Sequence, residues 1–104
     1  MIKLATIAHG RAGDKGNTLV LSLFPFDEND YPHLVQEVTA EKVKAHLSDQ
    51  VKGEVTRHEI PGLHALLFTC TEALGTGVTT SLALDAHGKS LSYALLEMKI
   101  NPQT

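Results

Sequence analysis

Cysteine is almost absent from this sequence, which contains Cys70 alone, and tryptophan is missing. A single cysteine excludes an internal disulfide, and the apolar residues around Cys70 predict a buried, inert thiol. The six histidines show no spacing typical of a metal site, and no second cysteine supports them. We therefore expect neither a metal nor another cofactor.

Runs of one kind of residue are also missing. No cluster of lysine or arginine accompanies the formal net charge of -3, which argues against a nucleic-acid partner and a basic membrane-binding face. No apolar run approaches the length that spans a bilayer. His9 and Arg11 interrupt the first apolar run, so we expect no secretory signal. These absences predict a cytoplasmic protein with no membrane partner.

The composition is that of one globular domain. A chain of 104 residues with 42% hydrophobic and 20% charged residues can bury a single core, so we predict one domain over residues 1–104. Apolar periodicity predicts strands over residues 3–9, 18–24, 54–60, 63–71 and 78–84, and helices over 31–38, 40–49 and 89–98.

Two of these segments have a second interpretation. The run 63–71 also suits a buried helical turn, and 89–98 also suits a returning strand, because short apolar runs do not separate the two structures. We take 63–71 as a strand and 89–98 as a helix.

Counted as four strands and two helical units, with 31–38 and 40–49 taken together, the order is β-β-α-β-β-α, which is the ferredoxin-like βαββαβ order with the last strand moved to the front. One of the five candidate strands is then left unassigned. It predicts an α+β two-layer sandwich, in which a four-stranded antiparallel sheet carries both helices on one face. The first two strands are then antiparallel neighbours.

The stretch Gly10–Asn17 places three glycines and two cations between apolar runs. We interpret it as a loop that joins the first two strands. Glycines permit positive φ and close approach, while Arg11, Lys15 and successive amides suit a phosphate or carboxylate. Its order and spacing fit neither a P-loop nor a dinucleotide fingerprint. The predicted ligand-binding residues are Gly10, Arg11, Gly13, Asp14, Lys15, Gly16, Asn17 and Arg57.

A plainer interpretation treats the same stretch as a tight turn, in which Asp14 and Asn17 bond the local backbone. His9 and Asp14 are the candidate acid-base residues, although a histidine at a strand end is more often structural. Strand alternation puts Arg57 and Glu59 on one face, as a surface ion pair or as a polar patch beside a ligand. The serines lack a nucleophile elbow, so a hydrolase triad is unsupported.

Four segments carry a family resemblance. Residues 10–17 (GRAGDKGN), 57–66 (RHEIPGLHAL), 73–79 (ALGTGVT) and 84–89 (LDAHGK) resemble, in order, the C-terminal domain of AtuA, the acyclic terpene utilisation protein family. The resemblance runs over nearly the whole chain, and its most specific part is Arg-x-Gly-Asp-Lys-Gly-Asn at 11–17. It departs at Leu67, where the family tends to have Asn, and at Glu72 and Thr76, where the family is richer in glycine.

The resemblance implies a ferredoxin-like fold and a place in the catabolism of acyclic terpenoids or related branched acids as coenzyme A thioesters. Longer family members carry a large N-terminal domain before this one, which implies a separately encoded large AtuA-type subunit as a partner. The chain is then an accessory or ligand-binding subunit that holds an acyl-CoA or another anionic molecule.

Two further hypotheses remain. One is a small lyase, hydratase or isomerase acting on an acyl thioester, its site completed by a homo-oligomer. The other is a structural role in which the exposed side of the sheet is an oligomerisation surface.

Overall fold

The structure is a computed structural model that describes residues 1–15, 18–48, 51–72 and 92–102, with the backbone alone at 14 and 15. Its strands are β1 (Ile2–Lys3), β2 (Ala8–Lys15), β3 (Thr18–Pro25), β4 (Val55–Ile60), β5 (Ala65–Cys70) and β6 (Lys99–Ile100). Its helices are α1 (Tyr31–Glu37), α2 (Ala40–His46) and the C-terminal helical segment, residues 92–96. Short 3₁₀ turns occupy Leu4–Thr6, Glu28–Asp30 and Pro61–Leu63.

Among the described residues, the main sheet has four antiparallel strands in the order β2-β3-β5-β4. Because β3 and β4 are each antiparallel to β5, they run parallel to one another. The chain passes from β3 to β4 through α1 and α2, which makes a split β-α-β unit. The predicted ferredoxin-like α+β fold is confirmed. A smaller sheet pairs β1 with β6.

The core lies on one face of this sheet. Burial alternates along β3, where Leu19, Leu21 and Leu23 are fully buried, so every second side chain points toward the helices. The core side chains that meet them from β5 and the helices are Leu34, Val38, Val43, Leu47, Leu66, Phe68, Cys70 and Leu95. The helices therefore share one layer, as predicted.

Capping explains where α2 begins. The Thr39 hydroxyl accepts a hydrogen bond from the Lys42 amide at 3.2 Å, and Glu41 lies in the first turn. α1 ends before it at Glu37, so the two predicted helices are separate. α2 stops at His46 rather than at residue 49.

The first predicted strand, 3–9, is wrong at its centre. Leu4–Thr6 forms a 3₁₀ turn, in which the Leu4 side chain is fully buried and its amide donates to the Met98 carbonyl at 2.8 Å. The first apolar run therefore ties the start of the chain to its C-terminal part. The backbone of Leu4 forms its hydrogen bond outside any β-ladder, and the apolar pattern of the sequence does not predict such a bond.

The interpretation of Gly10–Asn17 as a loop is also wrong for residues 10–15. β2 pairs with β3 residue by residue, from Ala8 opposite Pro25 to Lys15 opposite Thr18, which leaves two residues between the strands. An edge strand needs only one hydrogen-bonded neighbour, so glycine and charge are tolerated there. Neither Gly10 nor Gly13 adopts the left-handed backbone conformation that glycine permits.

The remaining predicted strands and helices are found, where the structure describes them, over part of their ranges, and the predicted helix 89–98 ends at residue 96. The strands at 18–24, 54–60 and 63–71 are confirmed with shifts of up to two residues at their ends, and 92–96 is helical. The predicted strand 78–84 and residues 89–91 lie outside the described residues. Within the described ranges, no helix combines the length and the apolar character needed to cross a membrane.

Candidate functional site

The sheet has a second face, opposite the helix layer, which we call the outer face. Residues that stand directly opposite one another in an antiparallel pair share a face. One row across the outer face joins Arg11, Ser22, Leu67 and His58, one from each strand of the sheet. Polar side chains therefore occupy both ends of a row on which none of the described helices packs.

Arg11 is exposed at the β2 end of this row. It lies across from Ser22, whose position on β3 alternates with those of the buried leucines. Its guanidinium is thus presented from the outer face of an edge strand. A guanidinium in such a place can bind a carboxylate or phosphate through two parallel hydrogen bonds.

An aromatic patch, formed by His9, Phe24 and Phe26, adjoins Arg11. The His9 ring stacks on Phe24 with a centroid distance of 5.4 Å and on Phe26 with one of 5.2 Å. Phe26 is 66% exposed, which leaves much of its ring free for contact. His9 and Arg11 are two residues apart on one face of β2, about 7 Å along the strand. The face thus joins a cation to an apolar surface.

A shallow groove of about 620 Å³ runs beside the aromatic patch. Leu63, 68% exposed, forms part of one wall, and His64 holds its backbone at a φ of 50° next to it. The His64 Nδ1 atom lies 3.8 Å from the Glu28 Oε2 atom. Sequence reasoning missed this groove, although an aromatic residue in an acidic loop directly after Pro25 was a signal. Its lining residues are Phe24, Pro25, Phe26, Asp27, Glu28, Leu63 and His64.

Gly10 has a packing role on the other face. A Cβ atom placed there would lie 3.1 Å from the Ser22 carbonyl oxygen and 3.6 Å from the Ser92 hydroxyl. The glycine thus allows the C-terminal helical segment to approach β2 closely. Gly13 differs, because a Cβ at that position would meet nothing within 4 Å.

The structure does not bring Arg57 together with Arg11. Arg57 pairs with the buried Phe68 and lies on the helix side of the sheet. Its Nη1 atom donates to the carbonyls of Val35 (2.7 Å) and Val38 (3.0 Å). Its Nη2 atom lies 3.3 Å from Glu59 Oε2, so the predicted ion pair is present. The outer-face position on β4 belongs to the next residue, His58.

Two of the predicted binding residues, Asp14 and Lys15, continue β2 opposite Leu19 and Thr18. Gly16 and Asn17 lie outside the described residues. Across the described ranges, His, Cys, Asp and Glu side chains form no group of three suited to a metal ion. Burial raises the pKa of the Cys70 thiol from 9.0 to about 11, which keeps it protonated at neutral pH.

The fold and the outer face define a ferredoxin-like α+β domain with an exposed cation on an edge strand. The family model of the AtuA ferredoxin-like domain matches residues 2–101, nearly the whole chain. The chain belongs to this family, and the resemblance noted from its sequence is confirmed. Comparisons with curated proteins and with solved structures find no match.

Proposed function

We propose that this chain is a cytoplasmic accessory subunit that binds an acyl-CoA, or a related branched acyl compound, by its anionic group at β2. The observation that carries the proposal is the position of Arg11, exposed on the outer face two residues from His9 in the aromatic patch. A ligand with a charged end and an apolar body matches that pair. Membership of the AtuA family supports acyclic terpenoids or related acids as the source of the ligand.

The charged end supplies most of the specificity in this proposal. A phosphate or carboxylate accepts charge-assisted hydrogen bonds from Arg11. Hydrogen bonds to charged groups contribute about 1.5–3 kcal/mol to the free energy of binding. The apolar body contributes by covering the exposed ring of Phe26 and its neighbours in the aromatic patch, at about 25 cal/mol for each Å² removed from water.

A large AtuA-type subunit is the proposed protein partner. Family membership supports it, because the resemblance implies a large domain that accompanies this one. The ligand-bearing outer face then presents its cargo to that subunit. Co-expression of the two chains, followed by affinity capture in high and low salt, tests the association. Failure to co-purify at low salt would contradict this part of the proposal alone.

Calorimetric titration with coenzyme A and with a branched acyl-CoA such as isovaleryl-CoA tests ligand binding. Arg11→Gln is expected to weaken binding about tenfold or more, by the value of the hydrogen bonds it removes. Lys44→Gln is the matched control, because it removes one exposed cation from α2, in the other layer. Equal affinities for the two variants, or no binding by the native chain, would overturn the proposal.

The enzymatic alternative, a lyase, hydratase or isomerase acting on a thioester, rests on one observation. His9 shares the β2 face of Arg11, so its imidazole is placed to exchange a proton with a group that Arg11 holds. A thioester panel assayed with the native chain, His9→Gln and Asp14→Asn distinguishes the two. Turnover that His9→Gln abolishes while coenzyme A still binds favours the enzyme, and Asp14→Asn, at a position paired with Leu19 on the other face of β2 from Arg11, tests whether that face takes part. Binding without turnover favours the accessory subunit.

A further inference from the structure

The two edges of the four-stranded sheet are built differently. β4, one edge, turns Arg57 and Glu59 toward the helix layer, and Pro61 follows it directly. Inward-pointing charges and a terminal proline are devices that prevent an edge strand from pairing with another chain. β4 is therefore a protected edge.

β2, the other edge, is not followed by a proline, and the charged residues it carries, Arg11, Asp14 and Lys15, limit the registers in which it can pair. Its ladder with β3 continues over eight residues with no bulge and no proline. Arg11, Ala12 and Gly13 are all exposed, although Ala12 lies on the helix side, so the helix layer does not cover the edge there. In the described ranges no strand pairs with the outer side of β2. An edge of this length and regularity is a template for another strand.

We propose that β2 pairs antiparallel with β2 of a second copy of this chain, about a two-fold axis perpendicular to the sheet. Such an axis keeps both outer faces on the same side of the combined sheet. Two residues that lie directly opposite one another must then have sequence numbers that differ by an even number. The two four-stranded sheets become one of eight strands.

Charge selects the register among the central alternatives. Pairing position 11 with itself sets Arg11 against Arg11, and pairing 13 with itself sets Arg11 opposite Lys15. Like charges directly opposite one another are destabilising. With Ala12 on the axis, Arg11 instead faces Gly13 of the second copy, where no side chain opposes it. We assign this register to the pairing of the two β2 strands.

The register has a consequence for the proposed ligand site, and this step rests on the proposed function of Arg11. The two Arg11 residues become diagonal neighbours across the axis, about 7–8 Å apart, with their Cβ atoms somewhat closer. Two guanidinium groups then face one anion, such as a phosphate or the diphosphate of coenzyme A. A site that only the dimer completes makes anion binding stabilise the dimer.

Sedimentation velocity over micromolar to millimolar chain, with and without inorganic phosphate, tests the pairing. Gly13→Lys places a cation opposite Arg11 and is expected to give a monomer, whereas Gly13→Glu is expected to tighten the dimer. Gly62→Lys is the matched control, because a Cβ at either glycine meets nothing within 4 Å. It should dimerise as the native chain does, and phosphate should strengthen the native dimer.

A native chain that stays monomeric under all these conditions would overturn the pairing, as would a Gly13→Lys dimer of native strength. Amide hydrogen exchange of residues 9–15 gives a second readout, with slower exchange expected in the native chain than in Gly13→Lys. Titration with coenzyme A separates this inference from the proposed function. A monomer that binds coenzyme A contradicts only the pairing, and a dimer that does not bind it contradicts only the ligand.

Discussion

The guanidinium of Arg57, on β4, donates a hydrogen bond to the carbonyl of Val38, the residue that follows α1, at 3.0 Å. The same Nη1 atom donates to the Val35 carbonyl at 2.7 Å. The last carbonyls of a helix have no partner within it. Arg57 thus donates hydrogen bonds to carbonyls at the end of α1 and ties that helix to the sheet.

Replacing Arg57 by Ala should lower the free energy of unfolding by about 2–3 kcal/mol, because two carbonyls lose a charged donor in a partly buried place. Arg57→Lys should recover part of the loss, since one ammonium group offers a less suitable geometry. Urea unfolding followed by circular dichroism measures both. Arg11→Ala, on an exposed edge, is the control and should change stability by less than about 0.5 kcal/mol. Equal effects at both arginines would contradict the capping role.

Gly53 is held where no side chain fits. A Cβ there would lie 2.2 Å from the Thr71 hydroxyl oxygen and 2.6 Å from its carbonyl oxygen. Gly53→Ala should therefore cost about 1–3 kcal/mol, as overpacking of well-packed sites does. Thermal unfolding measures the loss. Gly62→Ala, with open space around its Cβ, should leave the midpoint nearly unchanged, and a similar drop in both variants would refute the steric explanation.

Cys70 makes stability depend on pH in the alkaline range. Burial raises the pKa of its thiol from 9.0 to about 11, so the folded chain binds this proton more tightly than the unfolded chain does. The stabilisation is complete below about pH 9 and is lost as the pH rises through about 11.

Comparison with Cys70→Ala isolates this effect from other groups that titrate in the same range. The stability advantage of the native chain over the variant should shrink by about 2 kcal/mol between pH 8 and pH 11. Urea unfolding at each pH gives the difference. An advantage that stays constant with pH would show that the thiol ionises equally in both states.

Glu37 holds the C-terminal part of the chain. Its buried carboxylate accepts a hydrogen bond from the Asn101 amide at 2.9 Å, next to β6. Glu37→Ala leaves that amide without its acceptor and should cost about 1–3 kcal/mol. Glu37→Gln keeps a carbonyl oxygen and should cost less. Amide exchange at Asn101 should accelerate much more in Glu37→Ala than in Glu37→Gln, and equal rates would exclude this anchor.

The sequence predicted β3 and β4 well because their patterns follow from burial. The leucines at 19, 21 and 23 sit at every second position, as a strand covered on one face requires. Alternation likewise put Arg57 and Glu59 on one face, and their ion pair is present. The Thr39 cap was also predictable, since it depends on residues adjacent in sequence.

β2 was not predictable in the same way. Its residues look like a loop because glycine and charge are rare in strands, and only the ladder with β3 shows that the chain is extended there. The error at Leu4 is the reverse. Its apolar neighbours predict a strand, whereas its amide donates a hydrogen bond to the Met98 carbonyl across the fold. The aromatic patch joins His9 to Phe24 and Phe26, which only pairing brings together.

By itself, the sequence determined the family, the α+β class and the order of most elements, because local pattern and composition carry that information. Tertiary structure alone decided that Arg11 faces outward beside the aromatic patch while Arg57 caps α1. The physical reason is that side-chain direction on a strand has a period of two, so a residue's face depends on its register with its neighbours. The pairing of β3 with β5, which are distant in the chain, joins the hairpins β2-β3 and β4-β5 into one sheet and so decides which face the helices cover.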